Sequence, residues 1–366
     1  MLRLEARPQA SRAMRYLSPV IAAALTVVCG ILFSVLIGLH PGDAFHAFFV
    51  APIDDLYGLG ELGTKAAPLM LIATGLAIGF RSNIWNIGAE GQLTLGAIFG
   101  GGLALYFYDS ESPWLLPGII FAGALGGMAW AAIPAFLRAR FNTNEILVSL
   151  MLNYVAVLYL SYLVHGPWRD PEGFNFPESR LFPDAAMLPV ILDDTRLHLG
   201  LPIALFVVAL AWLFVRKSFI GFQMRVAGLA GAAAMYAGFN RKRMIWIGML
   251  SGGGAAGVAG LCEVAGPIGQ LLPSVSPGYG YAAIIVAFVG RLHPVGILLA
   301  SLLMSLLYLG GESAQMELGL PSAVTGVFQG VLLFFLLAAD LFINFRIRVV
   351  ARAPSPVGEA VATWKQ

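Results

Sequence analysis

Apolar runs of about twenty residues recur along the whole chain, separated by short polar segments, and this recurrence points to a bundle of membrane-crossing helices. A bilayer core about 30 Å thick is spanned by a helix of about 20 apolar residues. Within it, backbone groups must bond inside their own segment, as a helix allows and an open sheet edge does not. The runs lie at 17–39, 65–80, 87–107, 115–137, 146–164, 200–215, 244–262, 279–290, 294–311 and 322–343, ten expected spans of an all-α polytopic bundle. Those at 65–80, 200–215 and 279–290 are short for a full crossing and are expected to be tilted or broken. Composition agrees, with 58% of residues hydrophobic and 11% charged, where a soluble domain carries roughly 25% charged residues.

Arg3, Arg7, Arg12 and Arg15 precede the first run in the manner of a signal peptide. The run exceeds the roughly 7–15 residues of a signal core, so it is expected to remain as a first transmembrane helix. Basic residues collect on the cytoplasmic side of membrane proteins. With the N-terminus inside, ten spans leave only Lys65, Arg169, Arg180 and Arg196 of the 22 basic residues outside. The N-terminal arginines are joined inside by Arg81, Arg138, Arg140, Arg216, Lys217, Arg225, Arg241, Lys242, Arg243, Arg291, Arg346, Arg348, Arg352 and Lys365. Both termini are therefore expected in the cytoplasm. The expected organisation is one transmembrane domain over 1–366, with 40–64 and 165–199 as extracytoplasmic loops and 216–243 as a cytoplasmic loop. Within the first of those outer loops, 44–50 suits a short surface element. A net charge of +2 with no basic stripe excludes a nucleic-acid partner.

Two polar segments interrupt the apolar pattern. In FRSNIWNIGAEGQL at 80–93, Asn83, Trp85, Asn86, Glu90 and Gln92 stand beside Gly88 and Gly91. Polar groups at membrane depth normally face a cavity or the bundle interior. The segment fits two roles, a lining or gate of a translocation path, or a helix cap with Glu90 complementing a helix N-terminus. In FNTNEILVSLMLNYV at 141–155 the leading Asn142, Thr143, Asn144 and Glu145 suit a helix start, and Asn153 suits interhelical bonding better than solute contact.

SGGGAAGVAG at 251–260 lacks the phosphate-loop pattern and reads as a small-residue packing face. No Walker motif occurs, so nucleotide hydrolysis belongs elsewhere. The histidines are scattered, and Cys29 and Cys262 show no metal or redox spacing, which disfavours an enzyme or a metal centre. A chain of intramembrane carboxylates for proton coupling is also not expected, because only Glu90, Glu263 and Asp340 approach the spans. The middle of 216–243 is helix-prone and flanked by Arg225 and Arg241–Arg243, which suits a docking element for a soluble partner or a basic loop at lipid headgroups.

WNIGAEGQ at 85–92, NEILVSLMLNY at 144–154, GFQMRVAGLAGAAAMYAGF at 221–239 and SGGGAAGVAG at 251–260, in this order, carry a resemblance over nearly the whole chain. They resemble the permease family of bacterial ABC importers for nucleosides and simple sugars, related to the branched-chain amino acid and ribose permeases. The resemblance implies a type II importer-like fold in the bacterial cytoplasmic (inner) membrane. It implies a coupling helix at 221–239, with Gly221, Arg225, Gly228, Ala233, Tyr236 and Gly238 engaging an ABC ATPase subunit that binds ATP and Mg. It further implies a second permease and an extracytoplasmic solute-binding protein, with no cofactor in this chain. Chain length and the long 40–64 loop suggest the longer of two unlike permeases. Ala230 and Gly231 replace the family's usual Asn-Pro, so the start of the coupling helix is expected to be capped differently.

The expected function is import of a nucleoside-like or sugar-like solute by alternating access, with Asn83, Trp85, Asn86, Glu90, Gln92 and Asn153 lining or gating the path. The alternatives are an ion-gradient transporter without an ATPase, a branched-chain amino acid permease, and a membrane-embedded enzyme or scaffold.

Overall fold

The computed structural model of the chain describes residues 2–6, 12–36, 38–321 and 323–349. Arg7, Arg352 and Lys365, counted above among the inner basic residues, lie outside the described residues, as do Ile37 and Ser322 in the first and last expected spans. In chain order come strand β1 (Leu2–Ala6) and helices α1 (Arg12–Leu36), α2 (Pro41–Phe45), α3 (Leu56–Phe80), α4 (Ala89–Tyr106), α5 (Leu115–Phe141), α6 (Glu145–His165) and α7 (Gly200–Lys217). They are followed by α8 (Phe219–Leu229), α9 (Gly231–Tyr236), α10 (Arg241–Glu263), α11 (Tyr279–Val289), α12 (Pro294–Leu318), α13 (Ala323–Asn344) and strand β2 (Phe345–Val349).

The chain forms two units. One comprises Met1–Gly38 and Gly330–Gln366, and in it β1 and β2 pair antiparallel, Leu2 opposite Val349 and Ala6 opposite Phe345. The other, Leu39–Gln329, holds α2 to α12. Apart from that strand pair, the described regular structure is helical.

Among the described residues, six helices are long and apolar enough to cross a membrane, at Leu56–Phe80, Leu115–Phe141, Glu145–His165, Gly200–Lys217, Arg241–Ile268 and Pro294–Leu318. Val20–Leu36 and Tyr279–Val289 are shorter apolar helices. Helix α4 falls outside the six because Glu90, Gln92 and its glycines dilute its apolar content.

Burial sorts these helices into centre and rim. The apolar window of α3 is 83% buried, against 28% for those of α6 and α7. Met151, Tyr154, Leu158 and Tyr162 on α6 and Phe206, Leu210 and Leu213 on α7 are exposed. An apolar face this extensive suits contact with lipid chains, which accept it without the penalty water would impose. The glycine run of α10 brings helices into backbone contact. A Cβ built on Gly96 of α4 would stand 2.2 Å from Gly257 Cα, and one on Gly127 of α5 would stand 2.1 Å from Gly253 O. Small residues permit such approach, replacing side-chain interdigitation by direct backbone contact.

Local signals explain several boundaries. Asp55 caps α3 by accepting from Gly58 N at 2.6 Å. Asn144 accepts from Ile146 N and Leu147 N at the start of α6, and Asn240 accepts from Arg243 N at the start of α10. Pro294 opens α12, and Gly319 closes it in the left-handed conformation that glycine adopts without strain.

The structure revises two extents. Helix α3 starts at Leu56 rather than 65, placing Glu61 and Lys65 inside a helix, because Asp55 supplies a cap and both charges find partners there. Helix α12 continues past 311 to Leu318 and takes Glu312 with it. Residues 41–53 of the expected outer loop form α2, a π-helical turn at His46–Val50 and a 3-10 turn at Ala51–Ile53, with Ala44, Ala47 and Phe48 buried. Asn83 and Asn86 do not cap α4, whose N-cap is Gly88.

Candidate functional site

Residues 216–243 fold as a helical knob in two pieces. Helices α8 and α9 meet at Ala230, where φ −149° and ψ 75° break the helical path. Ser218 caps α8 by accepting from Gly221 N at 2.9 Å, whereas Ala230 offers α9 no side-chain cap. Met224 of α8 is buried in an apolar cluster with Ile84, Ala135, Met244, Ile245 and Met249, which anchors the knob.

Gly221 and Gly228 turn inward. A Cβ on Gly221 would stand 2.5 Å from Phe214 O, and one on Gly228 would stand 2.0 Å from Arg81 O. Arg225 donates to Val215 O at 3.0 Å, tying α8 to the end of α7. Ala233, Tyr236 and Gly238 face outward, Tyr236 at 97% exposure, and Leu229 and Met235 stand out with them.

Beneath the knob lies a groove of about 420 Å³, whose walls include Ser82 and Asn83 from the α3–α4 turn, Arg138 and Glu145 beside the α5–α6 turn, and Gly231 and Met235 of α9. Arg138 and Glu145 form an ion pair at 3.1 Å. Arg81 donates from Nε to Leu292 O at 3.0 Å and from Nη2 to the same oxygen, which attaches the α3–α4 turn to the α11–α12 turn. Arg81 sits beside Arg225, and burial first, then that neighbour, lowers its pKa. Three inter-helix turns and the knob thus share one end of the bundle.

The amides at 83–92 and Asn153 form a second constellation. Asn86 and Gln92 bond to each other twice, Nδ2 to Oε1 at 2.8 Å and Nε2 to Oδ1 at 3.0 Å, and Asn86 Oδ1 also accepts from Gly88 N. Asn153 Oδ1 accepts from Gly91 N at 2.9 Å, and its Nδ2 donates to Ile87 O and to the Tyr281 hydroxyl, each at 3.0 Å. Glu90 Oε2 accepts from Gly280 N at 2.7 Å, and the Glu90 carboxylate also accepts from the Ser276 hydroxyl. Asn86, Glu90, Gln92 and Asn153 are all buried. The network therefore joins α4, α6 and the start of α11 with its polar atoms turned on one another. Trp85 and Asn83 sit apart from it. Trp85 stacks on Phe288, meets Phe80 at a tilt and donates to Asn83, which is exposed at φ 61°.

The family model described as "Branched-chain amino acid transport system / permease component" matches residues 59–337, which take in the knob, the groove and the amide network. The chain belongs to this permease family.

Among relatives of the permease, a glucose ABC transporter permease protein of Haloferax volcanii is 33% identical over 95% of this chain and 94% of its own length. A guanosine ABC transporter permease protein of Bacillus subtilis is 30% identical over 91% of this chain and 96% of its own. A nucleoside ABC transporter permease protein of Lactococcus lactis is 25% identical over 97% and 98%. No solved structure matches the permease.

The permease also contains charges that reading along the chain assigned to loops or passed over. Lys65 of α3 pairs with Glu312 of α12 at 2.8 Å, and Arg196 approaches Glu61 at 3.4 Å. Glu61 and Glu312 therefore join Glu90 and Glu263 as carboxylates within or at the ends of long apolar helices, where the sequence pattern brought only Glu90, Glu263 and Asp340 near the spans. One signal was readable: Glu61 and Lys65 are spaced i, i+4, as neighbours on a helix face are.

Proposed function

We propose that this chain is the permease subunit of an ATP-binding cassette importer that moves a nucleoside or simple sugar into the cytoplasm by alternating access. The observation that carries this reading is the knob: two short helices with exposed Leu229, Met235 and Tyr236, rooted by Met224 and Gly228 on the ends of membrane-length helices. Such an element offers a soluble partner an apolar handle. The names of the relatives supply the partner class and the solute class, since all three are ABC transporter permeases and they act on glucose, guanosine and nucleosides.

In this reading an ABC ATPase subunit binds ATP and Mg and docks on α9. An extracytoplasmic binding protein delivers solute to the other end, and a shorter, unlike permease completes the path. The chain crosses the cytoplasmic (inner) membrane ten times in a type II importer-like arrangement, both termini inside. The β1–β2 pairing, which draws residues near the two ends of the chain together, supports termini on one side. The amide network holds the path segment 83–92 in place, and beside it stand the exposed Asn83 and the half-buried Trp85.

The test is copurification from cells expressing this chain with a candidate ATPase, a second permease and a binding protein, followed by uptake into liposomes. An ATPase that copurifies, and is lost when Met235 and Tyr236 are replaced by Asp, supports the assignment. Uptake that persists without ATP and follows the membrane potential defeats it in favour of an ion-gradient transporter.

A further inference from the structure

Glu61 and Lys65 stand one turn apart on α3, and the fold gathers charged and aromatic groups from three other helices around them. Beyond the Lys65–Glu312 and Arg196–Glu61 pairs, Glu263, the last residue of α10, lies within electrostatic reach of Lys65, Arg196 and Glu61. Tyr279, which opens α11, lies within reach of Glu61, Glu263 and Glu312. Its ring meets that of Tyr308 of α12 edge-on, with centroids 5.5 Å apart. Glu61, Tyr279 and Tyr308 are buried, and the Lys65 side chain is 17% exposed.

Two features separate this group from the amide network, whose members satisfy one another. Glu61, 8% exposed, has an Oε1 atom that is buried without a hydrogen bond, since Arg196 at 3.4 Å lacks bonding geometry. Among the described residues, no hydrogen bond or ion pair holds the Glu263 carboxylate. Glu263 is nonetheless only partly buried, and α10 passes directly beyond it into a π-helical turn, Val264–Ile268. Ionisable groups inside membrane helices are costly and mark solute or ion pathways, and π-turns recur at functional sites.

We propose that Glu61, Lys65, Glu263 and Glu312, with Tyr279 and Tyr308 beside them, form a solute-contact station at the outer end of the translocation path. The proposal rests on the importer reading. Ionised carboxylates only accept hydrogen bonds, so the station takes solutes rich in hydroxyl or amino donors. Glu61, Glu263 and Glu312 against Lys65 and Arg196 leave no net positive charge, so the station offers nothing to offset the charge of a phosphate group. The aromatic pair offers ring surface to a nucleobase or a sugar face. Neutral nucleosides and sugars meet these terms, and their phosphate esters do not.

The test uses the complete importer complex in liposomes, with radiolabelled guanosine and glucose as probes and guanosine monophosphate as competitor. For the transported probe, Glu263→Gln lowers kcat/KM by roughly tenfold to a hundredfold, the loss expected when a hydrogen bond to a charged group goes. Glu263→Asp restores most of it, ATP hydrolysis by the complex persists, and guanosine monophosphate competes poorly. If Glu263→Gln does not assemble, Glu312→Gln, at a 54% exposed side chain, gives the same reading. Wild-type kinetics in both variants, or strong competition by the phosphate ester, overturns the station. A wild-type complex that imports neither probe, or imports without ATP, overturns the importer reading and the station with it. That result is seen before any variant is made.

Discussion

Gly228 of α8 rests on the backbone of Arg81, so closely that a side chain at 228 would meet the Arg81 carbonyl oxygen. The knob and the end of α3 are thus in backbone contact, and a change at 228 displaces one against the other. Gly228→Ala is expected to cost about 1–3 kcal/mol, as overpacking at a tight site does. It should reduce ATP-driven uptake sharply while the chain still inserts. Uptake per inserted molecule, measured against wild type, checks this, and unchanged uptake counts against the knob as the coupling element.

Helix α9 begins at Ala230 without a side-chain cap. Ala230→Asn should supply an oxygen to the first free amides and stabilise α9 by about 1 kcal/mol. Hydrogen exchange of the α9 amides is expected to slow, and a complex with the ATPase to dissociate more slowly. No change in exchange would show that α9 is held by its surroundings alone.

The amide network calls for separate readouts of stability and binding. Asn153→Ala removes the partner of Gly91 N, Ile87 O and the Tyr281 hydroxyl. Each buried group left unpaired costs about 1–3 kcal/mol, so the melting temperature in detergent should fall clearly. A risen KM with an unchanged melting temperature would instead make Asn153 a solute contact.

The helices were legible where lipid decides their extent. Runs at 115–137, 146–164 and 200–215 anticipate α5, α6 and α7 within a few residues, because a rim helix needs only the bilayer as partner. Glu61 and Lys65 were not legible as helix interior. The groups that make them tolerable come from elsewhere, Glu312 lying 247 residues from Lys65, and without these partners their charge reads as loop. Asn153 shows the intermediate case. An amide inside an apolar helix announces that it has a partner, while Tyr281, 128 residues away, emerges only in three dimensions. The helical character of 216–243 was readable in its composition, but the break at Ala230 was not, since the segment is helix-prone throughout.

His198, in the segment before α7, makes a prediction about pH. It is 3% exposed, accepts from Gly200 N at 3.0 Å, and burial, reinforced by Arg196, lowers its pKa from 6.5 to about 4. The unfolded chain takes up the proton first as pH falls. Stability is therefore full above pH 6.5 and declines between 6.5 and 4, by on the order of 3 kcal/mol. His198→Asn keeps an acceptor for Gly200 N and does not titrate. Melting temperatures from pH 8 to 4.5 should fall less for the variant, and parallel curves would remove His198 as the cause.

Helix α3 runs 25 residues, from the charged group at Glu61 and Lys65 to the Arg81 turn under the knob. At 1.5 Å per residue it is about 37 Å long, a single continuous element between the knob and the Glu61–Lys65 charges. Pro68 is its one interior joint, where a ring in place of an amide hydrogen removes a helical bond. The two charges lie on the far side of that joint from Arg81. Pro68 thus divides α3 into a part that carries the Glu61 and Lys65 charges and a part that ends under the knob, with one ladder bond missing between them.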